Sequence, residues 1–190
     1  VNRERFALGI EAILEDGLLE TLDASERRNV ELLVNYEATR RQREAVARAL
    51  APLGLEVRGD AHWRDVLDRV NGPVGYFDDL PGYYRSTAVN LNTTSLQMAC
   101  AVNQRVFDCP AAGGFLLTDH QADLAAFFDI GSEAVAYDSM EELVELTRRF
   151  LRDPAERAAI TLRAQRRILA EHTHAHRLKG LEAFLKERFR

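Results

Sequence analysis

Two spacing regimes of apolar and polar residues follow one another along this chain, and the change falls near residue 52. Before it the spacing is helical. Phe6, Ile10, Ile13 and Leu14 give one apolar stripe, which Asp16-Gly17 weakens at its end. Ser25 with Glu26 opens a second helix, in which Val30, Leu33 and Val34 are spaced for one face. Its later half, Glu37 to Glu44, has almost no apolar face, so it lies in solvent or meets protein outside this sequence. Pro52 and Gly54 stop it. Beyond that point short apolar runs alternate with helical segments. Strands are expected at 55–58, 74–77, 87–91, 115–118 and 134–137. Helices are expected at 62–70, 96–112, 122–128 and 140–151, the last opened by a capping box of Ser139 and Glu142, and a short helix or turn at 80–85. The segment around 96–112 ends on Gly113-Gly114, a joint that calls for a left-handed turn before the next strand.

Strands separated by helices require crossover connections and hence a parallel sheet. The fold class expected is α/β, a doubly wound Rossmann-like parallel sheet of about five strands. That domain spans 52–152, with a helical N-terminal segment (1–51) and a helical C-terminal tail (153–190) packed on it. Asp153 caps the tail and Pro154 takes its first helical position. Ala158, Leu162 and Leu169 are its expected inner face. A final helix presents Leu178, Leu181, Leu185 and Phe189.

Composition narrows the class. With 190 residues, 46% hydrophobic and 29% charged, the chain has room for one globular domain and a helical appendage. A net charge of −5 argues against a general nucleic-acid binder. Cys100 and Cys109 build neither a disulfide framework nor a metal site, and both fall in the region read as helix. Together with the lack of a bilayer-length apolar run or a secretory leader, this points to the cytoplasm. The chain starts with Val1 in a stretch already helical in pattern, so a fragment of a longer protein, or a processed start, is expected.

In an open parallel sheet, ligands bind at the carboxyl ends of the strands. Those ends are Arg58 to Asp60, Phe77 to Asp79, Asn90 to Ser95, Thr118 to His120 and Tyr137-Asp138. Neither GxGxxG nor GxxxxGK[ST] occurs, which argues against a dinucleotide-dependent dehydrogenase and a P-loop nucleotidase. Thr93, Thr94 and Ser95 stand before a helix and suit either a phosphate or an ordinary cap. Arg105 is the best candidate cation, since a planar guanidinium suits a diphosphate; a structural ion pair is the alternative. Asp108, three residues on, either accepts from ribose hydroxyls or pairs with Arg105. Asn92, Gln104 and Asp119 complete the candidate ligand-binding set. His172, His174 and His176 have a spacing unlike that of a helical metal site, and Thr173 reads as a helix cap among them. Trp63 and the Tyr83-Tyr84 pair read as packing residues rather than platforms on which a base stacks.

From about Asn90 to Leu185 the chain resembles the carboxyl-terminal domain of GT-B glycosyltransferases, in particular the CgeB-like (spore maturation protein) group within the glycosyl transferases group 1. The resemblance rests on N90-L-N92, T94-S-L-Q-M98, and N103-Q-R-V-F-D-C-P-A-A-G-G-F-L-L-T-D-H-Q121. D153-P-A-E-R157 and E171-H-T-H-A-H-R177 add to it, as do G59-D-A-H-W63 and L80-P-G-Y-Y84 upstream. It implies a donor domain that holds a nucleotide-sugar, facing an acceptor-binding domain expected on the N-terminal side. It also implies sugar transfer from a nucleoside diphosphate without a cofactor or bound metal. Asp108 matches the ribose-binding acidic position, where Glu is common, and Cys100 stands where many relatives carry a second Glu. Arg105 would be the catalytic cation facing the departing diphosphate. Two other readings remain: a non-catalytic glycosyltransferase-like interaction module using the basic face of residues 37–44, and a receiver- or flavodoxin-like domain on fold alone.

Overall fold

The computed structural model describes residues 21–98 and 100–189, so the stripe of Phe6, Ile10, Ile13 and Leu14 lies outside the described residues. The fold is mixed α/β with parallel sheets. It divides into two compact units. The first takes the described residues up to Pro73 with Thr93–Val102 and Gln121–Asp123; the second comprises Val74–Asn92, Asn103–His120 and Leu124–Arg190.

Helix α1 (Ala24–Leu50) dominates the first unit. Its cap is Asp23 rather than Ser25. The Asp23 carboxylate accepts from the Ser25 and Glu26 amides, and Glu26 accepts from the Asp23 amide. The buried positions are Val34, Thr39, Val46, Ala47 and Leu50, whereas Leu33 is exposed. The apolar-poor half is held by charge instead: Glu37 pairs with Arg40 and Arg41, and Arg40 also pairs with Glu44. The Glu37 carboxyl is held at about 2 by hydrogen bonds from Arg40 and Arg41. As predicted, the helix stops at Pro52 and Gly54.

Strands β1 (Val57–Arg58) and β2 (Val70–Asn71) pair in parallel, Val57 opposite Val70. This corrects two expectations. Val70 leaves the predicted helix 62–70 for the ladder, and the helical part shrinks to a 3-10 turn, Ala61–Asp65, opened by Asp60. The predicted strand 74–77 is absent. The Gly75 carbonyl accepts from Asp79 and Leu80, so it closes a turn over residues 76–79 rather than joining a ladder.

The second unit holds a three-stranded parallel sheet, in the order β3 (Asn90–Asn92), β4 (Leu116–Asp119), β5 (Val135–Tyr137). Asn92 stands opposite Thr118, and Asp119 opposite Tyr137. All four residues of β4 are buried, as expected of a central parallel strand. Among the described residues, the expected single sheet of about five strands is thus a pair and a separate triplet.

Helix α2 (Leu80–Ser86) buries Tyr84, and α3 (Arg105–Ala111) buries Val106, Cys109 and Pro110. The predicted helix 96–112 is broken. Leu96–Met98 is a 3-10 turn of the first unit, Cys100 is exposed in a turn, and α3 begins at Arg105. Asn103 explains the restart: its side-chain oxygen accepts from the Arg105 amide at 3.0 Å, which favours a helix start over a helix interior. The predicted 122–128 helix is likewise a 3-10 segment, Ala122–Ala126.

The joint after α3 has the predicted form, with Gly113 at φ +90°. Gly114 packs so closely that a Cβ there would meet Cys109 Sγ, Tyr84 Cβ and the Tyr84 carbonyl, each at 2.9 Å. Helix α4 (Met140–Arg152) starts where expected: Ser139 caps the Glu142 amide, and Glu142 reaches back to the Asp138 amide. Asp153 and Pro154 open α5 (Pro154–Glu171) as predicted.

Its inner face differs from the expected Ala158, Leu162 and Leu169, which are exposed. Ile160, Ala164 and Ile168 are buried instead, a strict i, i+4, i+8 stripe. Gln165 holds this face to α3 by donating to the Ala111 carbonyl at 2.9 Å. Helix α6 (His174–Arg188), capped by Thr173, has no buried residue, and Leu178, Leu181, Leu185 and Phe189 are exposed. It is tied at its start, where Arg177 lies over the rings of Phe107 and Phe127 and His172 packs against both.

Candidate functional site

The polar cluster of the second unit is built on Asn92, the last residue of β3. It is fully buried, at 0% exposure. Its side-chain nitrogen donates to Thr118 Oγ1 on β4 at 2.9 Å. Its side-chain oxygen accepts from Asn103 Nδ2 at 2.9 Å and from the Arg105 guanidinium at 3.0 Å. Its carbonyl accepts from the Tyr137 hydroxyl of β5 at 3.4 Å. Through its side-chain amide and its backbone carbonyl, this one residue ties together all three strands and the start of α3. A buried amide with its donors and acceptors matched is stable; the same amide with partners missing would cost heavily.

Arg105 is exposed although its guanidinium is anchored on Asn92. Its charge also bears on the buried Tyr84. Burial pushes the Tyr84 phenol up, and the Arg105 contact partly opposes this. A second group lies along α3: the Tyr76 hydroxyl donates to Asp108 Oδ2 at 2.7 Å and accepts from Gln104 Nε2 at 3.1 Å. Asp108 holds the Tyr76 phenol above its ordinary range, because the carboxylate both accepts the phenolic proton and opposes a phenolate. On the same helix Cys109 is buried, and that burial pushes its thiol up to about 12. Asp119 is buried at the end of β4, its Oδ1 3.4 Å from Thr118 Oγ1.

Of the predicted residues, Asn92 and Arg105 meet directly, and Gln104 and Asp108 meet through Tyr76. Thr94 and Ser95 belong to the first unit. There Thr94 is buried, and Thr39 Oγ1 lies 3.4 Å from Ser95 Oγ and accepts from the Leu96 amide at 3.2 Å. They precede a 3-10 turn of three residues, not the long helix expected, so no extended helix dipole stands behind them. Tyr76 was missed as a site residue because 74–77 reads as a strand. Its signal is the Gly75 before it, a residue that favours turns. Thr118 and Tyr137 were legible as strand-end positions but carried no chemistry of their own.

No group of three or more metal-ligating side chains gathers among the described residues, and no described helix is long and apolar enough to cross a membrane. The sequence model of the glycosyl transferase-like family matches residues 38–183, most of the chain. The chain belongs to the glycosyl transferase-like family. No curated protein and no solved structure matches it. Membership in the glycosyl transferase-like family points to sugar transfer in general. Within this glycosyl transferase-like chain, the matched span contains every predicted site residue, from Asn92 to Asp119.

Proposed function

We propose that this glycosyl transferase-like chain is the donor-binding half of a GT-B enzyme of the CgeB-like group. It would bind a nucleoside diphosphate sugar in a Rossmann-like domain and pass the sugar to an acceptor held by another domain. The observation that carries this reading is the Arg105 guanidinium, presented to solvent yet oriented by the buried Asn92. A surface arginine wanders among rotamers; one anchored from below is preorganised for an anion.

The chemistry asks for such a group. As the bond from the anomeric carbon to the diphosphate oxygen breaks, its electron pair stays on that oxygen. A fixed cation aimed there stabilises the charge that develops, without reorganising during the reaction. Asp108 is the proposed acceptor for ribose hydroxyls, with Gln104 beside it. Asp119 is proposed to border the same ligand from the end of β4.

Isothermal calorimetry with UDP, GDP and ADP tests the reading. The folded chain binds at least one of them, and Arg105→Ala weakens that binding by about ten- to a hundredfold, the loss expected for one charge-assisted contact of ~1.5–3 kcal/mol. A folded protein that binds none of the three refutes it.

A further inference from the structure

We infer that the Tyr76 hydroxyl is a built-in stand-in for a ribose hydroxyl, seated on Asp108 and Gln104 until a ribonucleotide displaces it. This rests on the donor-site reading above and adds a competitor to that site.

The hydrogen-bond pattern carries the inference. Asp108 offers an acceptor and Gln104 a donor, and the Tyr76 oxygen satisfies both at once, giving to the carboxylate at 2.7 Å and receiving from the amide at 3.1 Å. A hydroxyl, like water, can give and receive through a single oxygen in this way. The pair is therefore complementary to an alcohol, and a ribose offers the same donor and acceptor through its two adjacent hydroxyls.

Displacement is mechanically easy. Tyr76 sits on the turn over residues 76–79 and is 48% exposed, so its ring can swing away without opening the core. Its neighbour on that turn, Phe77, is 85% exposed and meets the Tyr76 ring edge to face at 5.0 Å. Moving the pair uncovers the carboxylate. A ligand must then compete with the phenol, and its apparent affinity falls by the fraction of molecules in which Asp108 is open. A ligand without ribose hydroxyls gains nothing from the displacement. The contact therefore lowers the affinity for ribonucleotides and narrows their margin over ligands without ribose hydroxyls.

The test compares the wild-type chain with Tyr76→Phe, which keeps the ring and removes the hydroxyl. The probes are the nucleoside diphosphate bound best among UDP, GDP and ADP, and its 2′,3′-dideoxy counterpart, both titrated by calorimetry. Tyr76→Phe is expected to bind the ribonucleotide about three- to tenfold more tightly, the effect of freeing one exposed hydrogen bond, with the dideoxy compound unchanged. Equal or weaker binding of the ribonucleotide, or an equal gain for both probes, overturns the inference. Arg105→Ala separates the two readings. If it weakens binding by that roughly ten- to hundredfold while Tyr76→Phe changes nothing, the donor site stands and the stand-in falls. If neither the wild type nor Tyr76→Phe binds a nucleotide, both fall.

Discussion

Cys100 and Cys109 lie nine positions apart in sequence, and both fall where the apolar pattern reads as one helix. The structure gives them opposite fates. Cys100 is exposed in a turn, while Cys109 is buried in α3 with its thiol pushed up to about 12. Thiolate is the reactive form, so at pH 8 a thiol-directed reagent should label one cysteine per folded chain, with both reacting after denaturation. Mass spectrometry of the labelled peptides should place that label on Cys100; a fast label on Cys109 would contradict its burial. Single residues also mark the limit of what sequence shows. Arg105 and Asp108 were legible as a pair on one helical face. Their partners were not: Arg105 leans on Asn92, and Asp108 is taken by Tyr76, which comes from a segment 32 positions away in the chain. Local spacing has no access to such a contact.

At the scale of elements, boundaries set by a local chemical device were legible and those set by pairing were not. The Asp153-Pro154 start of α5, the Ser139 cap of α4 and the Gly113 turn each depend on a few neighbouring residues, and each stands where predicted. Strand β2 instead depends on Val57, thirteen positions upstream, which draws Val70 out of a pattern that otherwise reads as helix. The inner face of α5 shows a related failure. Both Ala158/Leu162/Leu169 and Ile160/Ala164/Ile168 obey helical spacing, and only the surface they meet selects the second.

The joint between α3 and β4 can be tested directly. Gly114→Ala places a methyl 2.9 Å from a sulfur, a side-chain carbon and a backbone oxygen. It should cost about 1–3 kcal/mol, the usual penalty of overpacking. Gly113→Ala meets nothing closer than Arg85 at 3.6 Å and suffers mainly from its φ of +90°. That costs about 1 kcal/mol. Urea denaturation should therefore rank wild type above Gly113→Ala and Gly113→Ala above Gly114→Ala. The reverse order would show that backbone strain, not contact, governs this joint.

At the scale of the whole molecule, the α/β class and the parallel pairing were legible because strands joined through helices admit few other arrangements. The sheet size was not. Two-residue strands such as Val57–Arg58 and Val70–Asn71 carry no signal of which ladder they will join. The family match runs over residues 38–183 and so includes parts of both compact units.

Net charge is also a property of the whole. At −5 the protein repels a diphosphate from a distance, so any attraction has to be concentrated locally. This gives Asn92 a meaning beyond packing. An aspartate could grip Arg105 through the same oxygen and would grip it harder, but it would also cancel the charge that it orients. The neutral amide aims a guanidinium while leaving its full positive potential directed outward. Asn92→Asp should therefore keep the fold, since Thr118 can turn its hydroxyl to donate, yet bind a nucleoside diphosphate at least about tenfold more weakly. Calorimetry on a variant with an unchanged circular-dichroism spectrum would read this directly, and undiminished affinity would remove the electrostatic argument. Asn92 is in this sense an electrical insulator set at the end of a strand.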